Sequence, residues 1–91
     1  MIAVTERAKE RLKTILSDKV DNPQASLRLT ATGQGQFGLH VDVETSGDQV
    51  VKHKGSKVLL VEHELASSLH GVILDVEPTD QGAQLAMFRE Q

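Results

Sequence analysis

Near residue 27 of this 91-residue chain, the spacing of apolar residues changes from a helical period to a strand period. The apolar positions near the start recur at i, i+4, i+7 and i+8, and they are Ala8, Leu12, Ile15 and Leu16. This spacing places them on one stripe of a helix, which Thr5 can cap through its hydroxyl. From residue 27 onward apolar and polar residues alternate, as half-buried strands require. The change of period predicts an α+β domain that is mainly β.

Six segments carry the strand pattern, at residues 27–32, 37–44, 49–54, 57–61, 72–77 and 83–89. Residues 58–61 are continuously apolar, which predicts a central strand buried on both faces. We expect hairpin turns at Gly55-Ser56 and at residues 78–82. Residues 62–70 return to helical spacing, with Gly71 placed to end that helix. Together these segments predict a two-sheet β-sandwich covered on one side by an N-terminal helix and carrying a short second helix.

Composition excludes several classes of function. The chain has no cysteine, which rules out a disulfide scaffold, a thiolate zinc site, a cysteine-ligated iron–sulfur cluster and a cysteine nucleophile. No apolar run approaches the ~20 residues of a membrane span, and the start becomes charged too soon for a signal peptide. The net charge of −3 gives no general attraction to nucleic acid or to an anionic membrane. We therefore expect a cytoplasmic protein without membrane association.

Four segments, taken in order, carry a family pattern. They are Val4-Thr5-Glu6-Arg7-Ala8 ahead of the first helix, Leu27-Arg28-Leu29 ahead of a glycine-rich loop, Val58-Leu59-Leu60-Val61, and Leu69-His70-Gly71-Val72-Ile73-Leu74-Asp75. The last segment is similar to a Leu-x-Gly-x-x-Ile-Asp signature. Over nearly the whole chain this order resembles the A-type iron–sulfur cluster assembly family, the HesB/IscA-like proteins. The resemblance implies a HesB-like two-sheet β-sandwich and a single HesB/IscA-like domain over residues 1–91.

The cluster-binding cysteines of that family do not carry over. The family's loop reads Gly-Gly-Gly-Cys-Ser-Gly, and this chain has Gln36 at the position of that first cysteine. The family's other two cysteines lie in a Cys-Gly-Cys tail, and the present sequence ends at Gln91, about where that tail would begin. A neutral carboxamide does not replace an anionic thiolate on iron. The resemblance thus implies a link to iron–sulfur or sulfur metabolism without cluster binding by the family's three cysteines. Cysteine-free members exist, including one associated with the dissimilatory sulfite reductase system, and this chain is a candidate for that member.

His40, Asp42 and Glu44 form the most suggestive metal-binding pattern. Alternation places all three on one face of a strand, with successive members about 7 Å apart. Imidazole and carboxylates can hold iron, manganese or zinc, so a metal carrier using these ligands is an alternative function. The ordinary explanation, which we favour, is the solvated polar face of an antiparallel strand.

Two groups of residues are candidates for partner binding. Gln34, Gln36 and Phe37 offer amides and an aromatic ring in the glycine-rich loop, groups that suit protein contact. The alternative is that Phe37 simply begins the inward face of its strand. Arg7 and Arg11 share a face of the first helix, which suits an acidic partner or RNA, although a solvated helix surface is the simpler explanation.

The predicted function follows from these features. We expect a non-enzymatic, cysteine-free homologue of the A-type proteins that needs no cofactor. It would be an accessory or regulatory protein acting through protein–protein contacts, as a monomer or weak homo-oligomer. The identity of the partner is not specified by the sequence. A weaker alternative is a regulator that binds nucleic acid through the first helix, which lacks the aromatic residues that stack on bases.

Overall fold

The strands form two sheets that flank an N-terminal helix. The computed structural model describes residues 2–19, 24–33, 36–80 and 82–89. The elements are β1 (Ala3–Val4), α1 (Glu6–Lys19), β2 (Ala25–Gly33), β3 (Gln36–Val43), β4 (Gln49–His53), β5 (Ser56–Val61), α2 (His63–Ser68), β6 (Val72–Thr79) and β7 (Gly82–Arg89). One sheet has the order β3-β2-β5-β4 and the other the order β1-β6-β7. The predicted α+β, mainly β, two-sheet architecture is confirmed.

Helix α1 forms where the apolar period predicted it. The backbone N–H of Ala8 donates to Thr5 Oγ1 at 3.2 Å, so Thr5 caps the helix as expected. Ala8, Leu12 and Leu16 are buried, and α1 packs mainly against β6, β4 and β5, which belong to both sheets. The helix therefore closes one side of the space between the sheets. No helix in the described part of the chain is long and apolar enough to cross a membrane.

Strand β5 is the centre of the larger sheet. It lies between β2, to which it is parallel, and β4, to which it is antiparallel. The run from Val58 to Val61 is 0% exposed at every position, which confirms the prediction of a strand buried on both faces. Burying one such Val or Leu contributes about 1.5–3 kcal/mol, so this strand is a main source of the domain's stability.

The β4–β5 turn lies one residue earlier than predicted. Lys54 and Gly55 are the two central residues, with φ of 51° and 83°, and Ser56 already pairs with His53. Two successive positive φ angles are the geometry of a type I′ hairpin turn, which matches the right-handed twist of the strands. Twist thus selects this turn, although Lys54 is not a residue type that favours positive φ.

Two further differences concern the smaller sheet. Strand β6 continues through Pro78 and Thr79, where a turn was predicted, and Thr79 pairs with Gly82 of β7. Proline is accepted there because β1 runs beside Ile73 and Leu74 only, which leaves most of that edge of β6 without a strand neighbour among the described residues. Strand β1 was not predicted, since two residues carry no periodicity.

Strand β3 has the predicted alternation, but its apolar face is only partly covered. It pairs antiparallel with β2, so that Val41 lies opposite Leu27 and Leu39 opposite Leu29. These partners on β2 are buried in the core. Phe37, Val41 and Val43 are nevertheless 37%, 36% and 49% exposed. Helix α1 and the second sheet therefore bury only part of the inner face of β3.

Candidate functional site

An apolar cleft opens between β3 and β7, which are edge strands of the two sheets. It has a volume of about 510 Å³, and its larger apolar side chains are Leu29, Phe37, Leu39, Leu74, Leu85 and Met87. Strand pairing creates this lining, because Leu29 lies opposite Leu39 in one sheet and Leu74 lies opposite Met87 in the other. The cleft is therefore the place where the two inner faces separate at an open edge of the sandwich.

Gln36 stands at the rim of this cleft. It is the exposed first residue of β3, directly before Phe37, which lines the cleft. It pairs with Gly33 across a register shift, and Gly33 has a φ of 122°, a backbone conformation that other residue types rarely adopt. The predicted partner-binding residue Gln34 lies outside the described residues. The start of β3 thus presents the amide of Gln36 and the ring of Phe37 beside an apolar surface, and it has no thiolate that could bind a cluster.

His40, Asp42 and Glu44 are not brought together as a metal-binding group. His40 Nε2 lies 3.8 Å from Asp42 Oδ2, but that same oxygen accepts a 2.7 Å hydrogen bond from Arg28 Nε. Glu44 Oε1 lies 2.9 Å from Lys57 Nζ. Both carboxylates therefore have a cationic partner. Within residues 2–19, 24–33, 36–80 and 82–89, no three His, Cys, Asp or Glu side chains are placed to hold a metal ion.

Arg28 is the centre of an ion-pair cluster that the sequence analysis did not identify. Its guanidinium donates to both carboxylate oxygens of Asp48, from Nη1 at 3.0 Å and from Nη2 at 2.7 Å, in addition to its bond to Asp42. The side chains of Arg28 and Asp48 are 11% and 1% exposed. The Arg28 hydrogen bonds, followed by those from Thr45, hold the pKa of Asp48 far below its usual value. Asp48 in turn raises the pKa of Arg28, so both groups are charged at neutral pH.

This cluster has a structural role at the end of β3 that is remote from Phe37. Arg28 Nη2 also donates to the Val43 carbonyl at 3.2 Å, and Asp48 accepts from the Thr45 N–H at 2.8 Å. The contacts tie the end of β3 and the following turn to β2. The sequence held two indications of it: a cation between the apolar residues Leu27 and Leu29, and an acid next to Ser46-Gly47, residue types that favour turns. The 20-residue separation of Arg28 and Asp48 hid their pairing.

Arg7, one of the two predicted partner-binding arginines, already has an acidic partner within the chain. Arg7 Nη2 lies 3.0 Å from Asp75 Oδ2, and Thr5 Oγ1 donates to Asp75 Oδ1 at 2.6 Å. The Thr5 hydroxyl, the Val76 N–H and then Arg7 lower the pKa of Asp75. The start of α1 is thereby fastened to β6. Arg11 is exposed on the same helix. The predicted basic patch therefore consists of Arg11 and of Arg7, whose charge is already paired with Asp75.

Comparison with known proteins gives structural neighbours only. No family model matches the chain, and no curated protein matches it. Escherichia coli SufA, "involved in biosynthesis of iron-sulfur clusters", superposes with a TM-score of 0.61 at 18% identity, over 97% of this chain and 79% of SufA. IscA with a [2Fe-2S] cluster gives 0.63 at 16% identity, over 98% and 85%. An Aquifex aeolicus protein solved by NMR gives 0.65 at 22% identity, over 97% and 90%. The chain therefore has the fold of SufA/IscA-type proteins, and it contains no cysteine.

Proposed function

We propose that this protein is a cysteine-free member of the HesB/IscA-like family and acts as a non-enzymatic accessory or regulatory protein in iron–sulfur or sulfur metabolism. It works in the cytoplasm through protein–protein contacts and carries no cluster by the family's mechanism. One observation carries the proposal: a chain with a SufA/IscA-type fold and no cysteine has an open apolar cleft lined by Phe37, the residue directly after Gln36. Thiolates are the usual ligands of iron–sulfur clusters, and this chain has none.

The cleft favours a protein ligand over a small molecule. A volume of about 510 Å³ lies within the range of ligand pockets, but such pockets place a few polar groups so that they fix the orientation of the ligand. The side chains that line this cleft are apolar throughout, so only backbone groups provide polar surface and no polar side chain is present to orient a small ligand. Phe37 is exposed at its rim, and exposed aromatic residues next to apolar surface are typical of protein interfaces. We infer that an apolar side chain of a partner protein enters the cleft.

Anaerobic reconstitution tests the absence of cluster binding. The purified protein is incubated with ferrous iron and sulfide, desalted and examined by absorption and by iron and sulfide analysis, with an IscA protein as the positive control. We expect no sulfur-to-iron absorption and no retained sulfide. A stable cluster on this chain would contradict the proposal. Iron retained in the absence of sulfide would instead favour the metal-carrier alternative through His40, Asp42 and Glu44.

Affinity capture from a native extract tests the accessory role. The unmodified protein is compared with Phe37→Ser at the cleft and with Phe88→Ser as a matched control, since Phe88 is 44% exposed on the other sheet. We expect iron–sulfur or sulfur-metabolism proteins to be retained by the unmodified protein and the Phe88 variant, and to be lost with the Phe37 variant. Identical proteins on all three baits would count against the cleft. Recovery of nucleic acid without protein would favour the nucleic-acid alternative.

A further inference from the structure

Strand β2 extends past its neighbour β5 at one end. It pairs with β3 as far as Gly33, whereas its parallel pairing with β5 ends where Leu29 lies beside Val61. The chain then leaves the sheet at Glu62 and enters α2. Beyond Leu29, one side of this interior strand therefore has no strand next to it within the described part of the chain. Backbone groups on that side are available to an added strand.

A groove of about 610 Å³ lies beside this open length of β2. The consecutive residues 28–31 form one side of it. The other side is formed by α2 and the residue before it, through Glu62, Glu64, Leu65 and Ser68. Because successive side chains of a strand point to opposite faces, a groove lined by consecutive residues follows the edge of the strand and not one face. An extended segment in this groove continues the place of β5 beside β2.

The groove carries negative charge that the described part of the chain does not neutralise. Glu62 and Glu64 are exposed, and neither forms an ion pair with a described residue. Arg28 also lines the groove, but its guanidinium is paired with Asp42 and Asp48, at 2.7 Å in each case. The charge that remains for a ligand is therefore that of two carboxylates.

The shape and charge of this groove define the segment that fits it. We propose that the groove binds an extended, basic segment of a partner protein, which pairs as an added strand with β2 beyond Leu29. Lysine or arginine side chains of the segment lie against Glu62 and Glu64, and an apolar side chain contacts Leu65, which is only partly buried. An acidic segment is excluded, because it would meet the two carboxylates. This surface goes beyond the proposed function and does not rest on the accessory role of the cleft.

The other open strand edges in the described part of the chain do not combine these features. The edges of β3 and β7 border the apolar cleft, which no charged side chain lines. Strand β1 has two residues, and β4 carries Lys52, which repels a basic segment. The free side of β6 has fewer donors, because the Val76 N–H donates to Asp75 Oδ1 at 2.7 Å and Pro78 has no N–H.

Titration of the isotope-labelled protein with synthetic peptides, followed through backbone amide chemical shifts, tests the position of the site. The probe is a hexapeptide of alternating lysine and valine with blocked ends, and the control peptide has glutamate in place of lysine. We expect the lysine peptide to cause saturable shifts at residues 30–33 and in α2, and the glutamate peptide to cause none. Equal shifts with both peptides, or shifts confined to β3 and β7, would overturn the proposal.

Charge variants test the role of the two carboxylates. Glu62→Gln combined with Glu64→Gln keeps oxygen acceptors at both positions, and Glu10→Gln combined with Glu77→Gln makes the same change of net charge at exposed sites elsewhere. We expect the first pair of substitutions to weaken binding of the lysine peptide at least about threefold, since exposed ion pairs are individually weak, and the second pair to leave it unchanged. The same loss in both double variants would show a general charge effect and refute the site.

The contribution of strand pairing is tested by a lysine–valine peptide that is methylated at every backbone nitrogen. Methylation keeps the charges but removes the donors that an added strand needs, so we expect binding to fall at least tenfold. Undiminished binding would mean that the contact is purely electrostatic and that no strand is added to β2. The amide spectra verify that every variant is folded. These measurements use the purified protein, so their outcome is independent of cluster reconstitution and of affinity capture with the Phe37 variant.

Discussion

Replacing Asp48 with asparagine is expected to remove a large part of the domain's stability. The substitution keeps the shape of the side chain but leaves the Arg28 guanidinium, 11% exposed, without its two-point carboxylate partner. Removing one member of a buried ion pair costs about 3–5 kcal/mol. A domain of this length has about 5–14 kcal/mol in total, so the variant is expected to lose from about a fifth to all of its unfolding free energy. Asp18→Asn, at an exposed site near the end of α1, is the control and should change stability by less than about 0.5 kcal/mol.

Urea unfolding followed by far-UV circular dichroism measures the effect, since the chain has neither Trp nor Tyr as a fluorescent probe. The sign of the pH dependence is also fixed. The pKa of Asp48 is lowered in the folded state and returns to about 3.9 in the unfolded chain. The contribution of Asp48 is therefore complete above about pH 5 and is lost as pH falls toward the lower folded pKa. The difference between the unmodified protein and Asp48→Asn should accordingly be largest near neutral pH and shrink in acid.

A double-mutant cycle with Arg28→Met can refute this reasoning. Removing both charges leaves no unpaired ion, so the double variant is expected to be more stable than the sum of the two single losses predicts, by about 2 kcal/mol or more. If the two losses add to within about 0.5 kcal/mol, Arg28 and Asp48 do not depend on each other, and the cluster does not stabilise the fold as a unit.

Two further predictions concern the N-terminal cap of α1 and the turn between β4 and β5. Thr5→Ala removes both the cap of α1 and the hydrogen bond to Asp75, and it should lower the unfolding free energy by about 1–2 kcal/mol in urea titrations. The control, Thr14→Ala on the exposed surface of the helix, should not lower it. Equal losses in the two variants would mean that the cap contributes nothing specific. Lys54→Asn places a residue that tolerates positive φ before Gly55. It should raise the midpoint of thermal unfolding by a few degrees, which corresponds to about 0.5–1 kcal/mol. A lower midpoint would show that the lysine side chain makes a stabilising contact.

Local patterns in the sequence were sufficient for most of the fold. The stripe of α1 and the apolar run of β5 each depend on neighbours within a few residues, and both were predicted correctly. The hairpin turn was misplaced because the twist of two strands, and not the identity of Lys54, sets the positive φ there. The extension of β6 through Pro78 depends on how few residues β1 contributes on the other side. Such features are properties of the assembled sheets, so no local pattern reports them.

The candidate site was less accessible to sequence reasoning. The alternation from Phe37 onward correctly gave the inner face of β3, but its coverage depends on where α1 and the second sheet come to lie. The pairing of Arg28 with Asp48 joins a strand to a distant turn. The resemblance to a known family implied that Gln36 stands at the position of the family's first cysteine, while the cleft beside it depends on β7 lying across from β3. Long-range contacts thus determine what the site offers.

The bond between Thr5 and Asp75 has a consequence for how the chain folds during synthesis. It joins residues 70 positions apart, and β1 likewise waits for Ile73 and Leu74. At about 5–20 residues per second, the ribosome needs roughly 4–14 s to supply these partners after the first residues have emerged. Helix α1 can form locally within that time, but the strand that fixes its start cannot. The first element made is therefore among the last to be fastened, and a nascent chain that stops short of Asp75 leaves the apolar stripe of α1 exposed to whatever it meets.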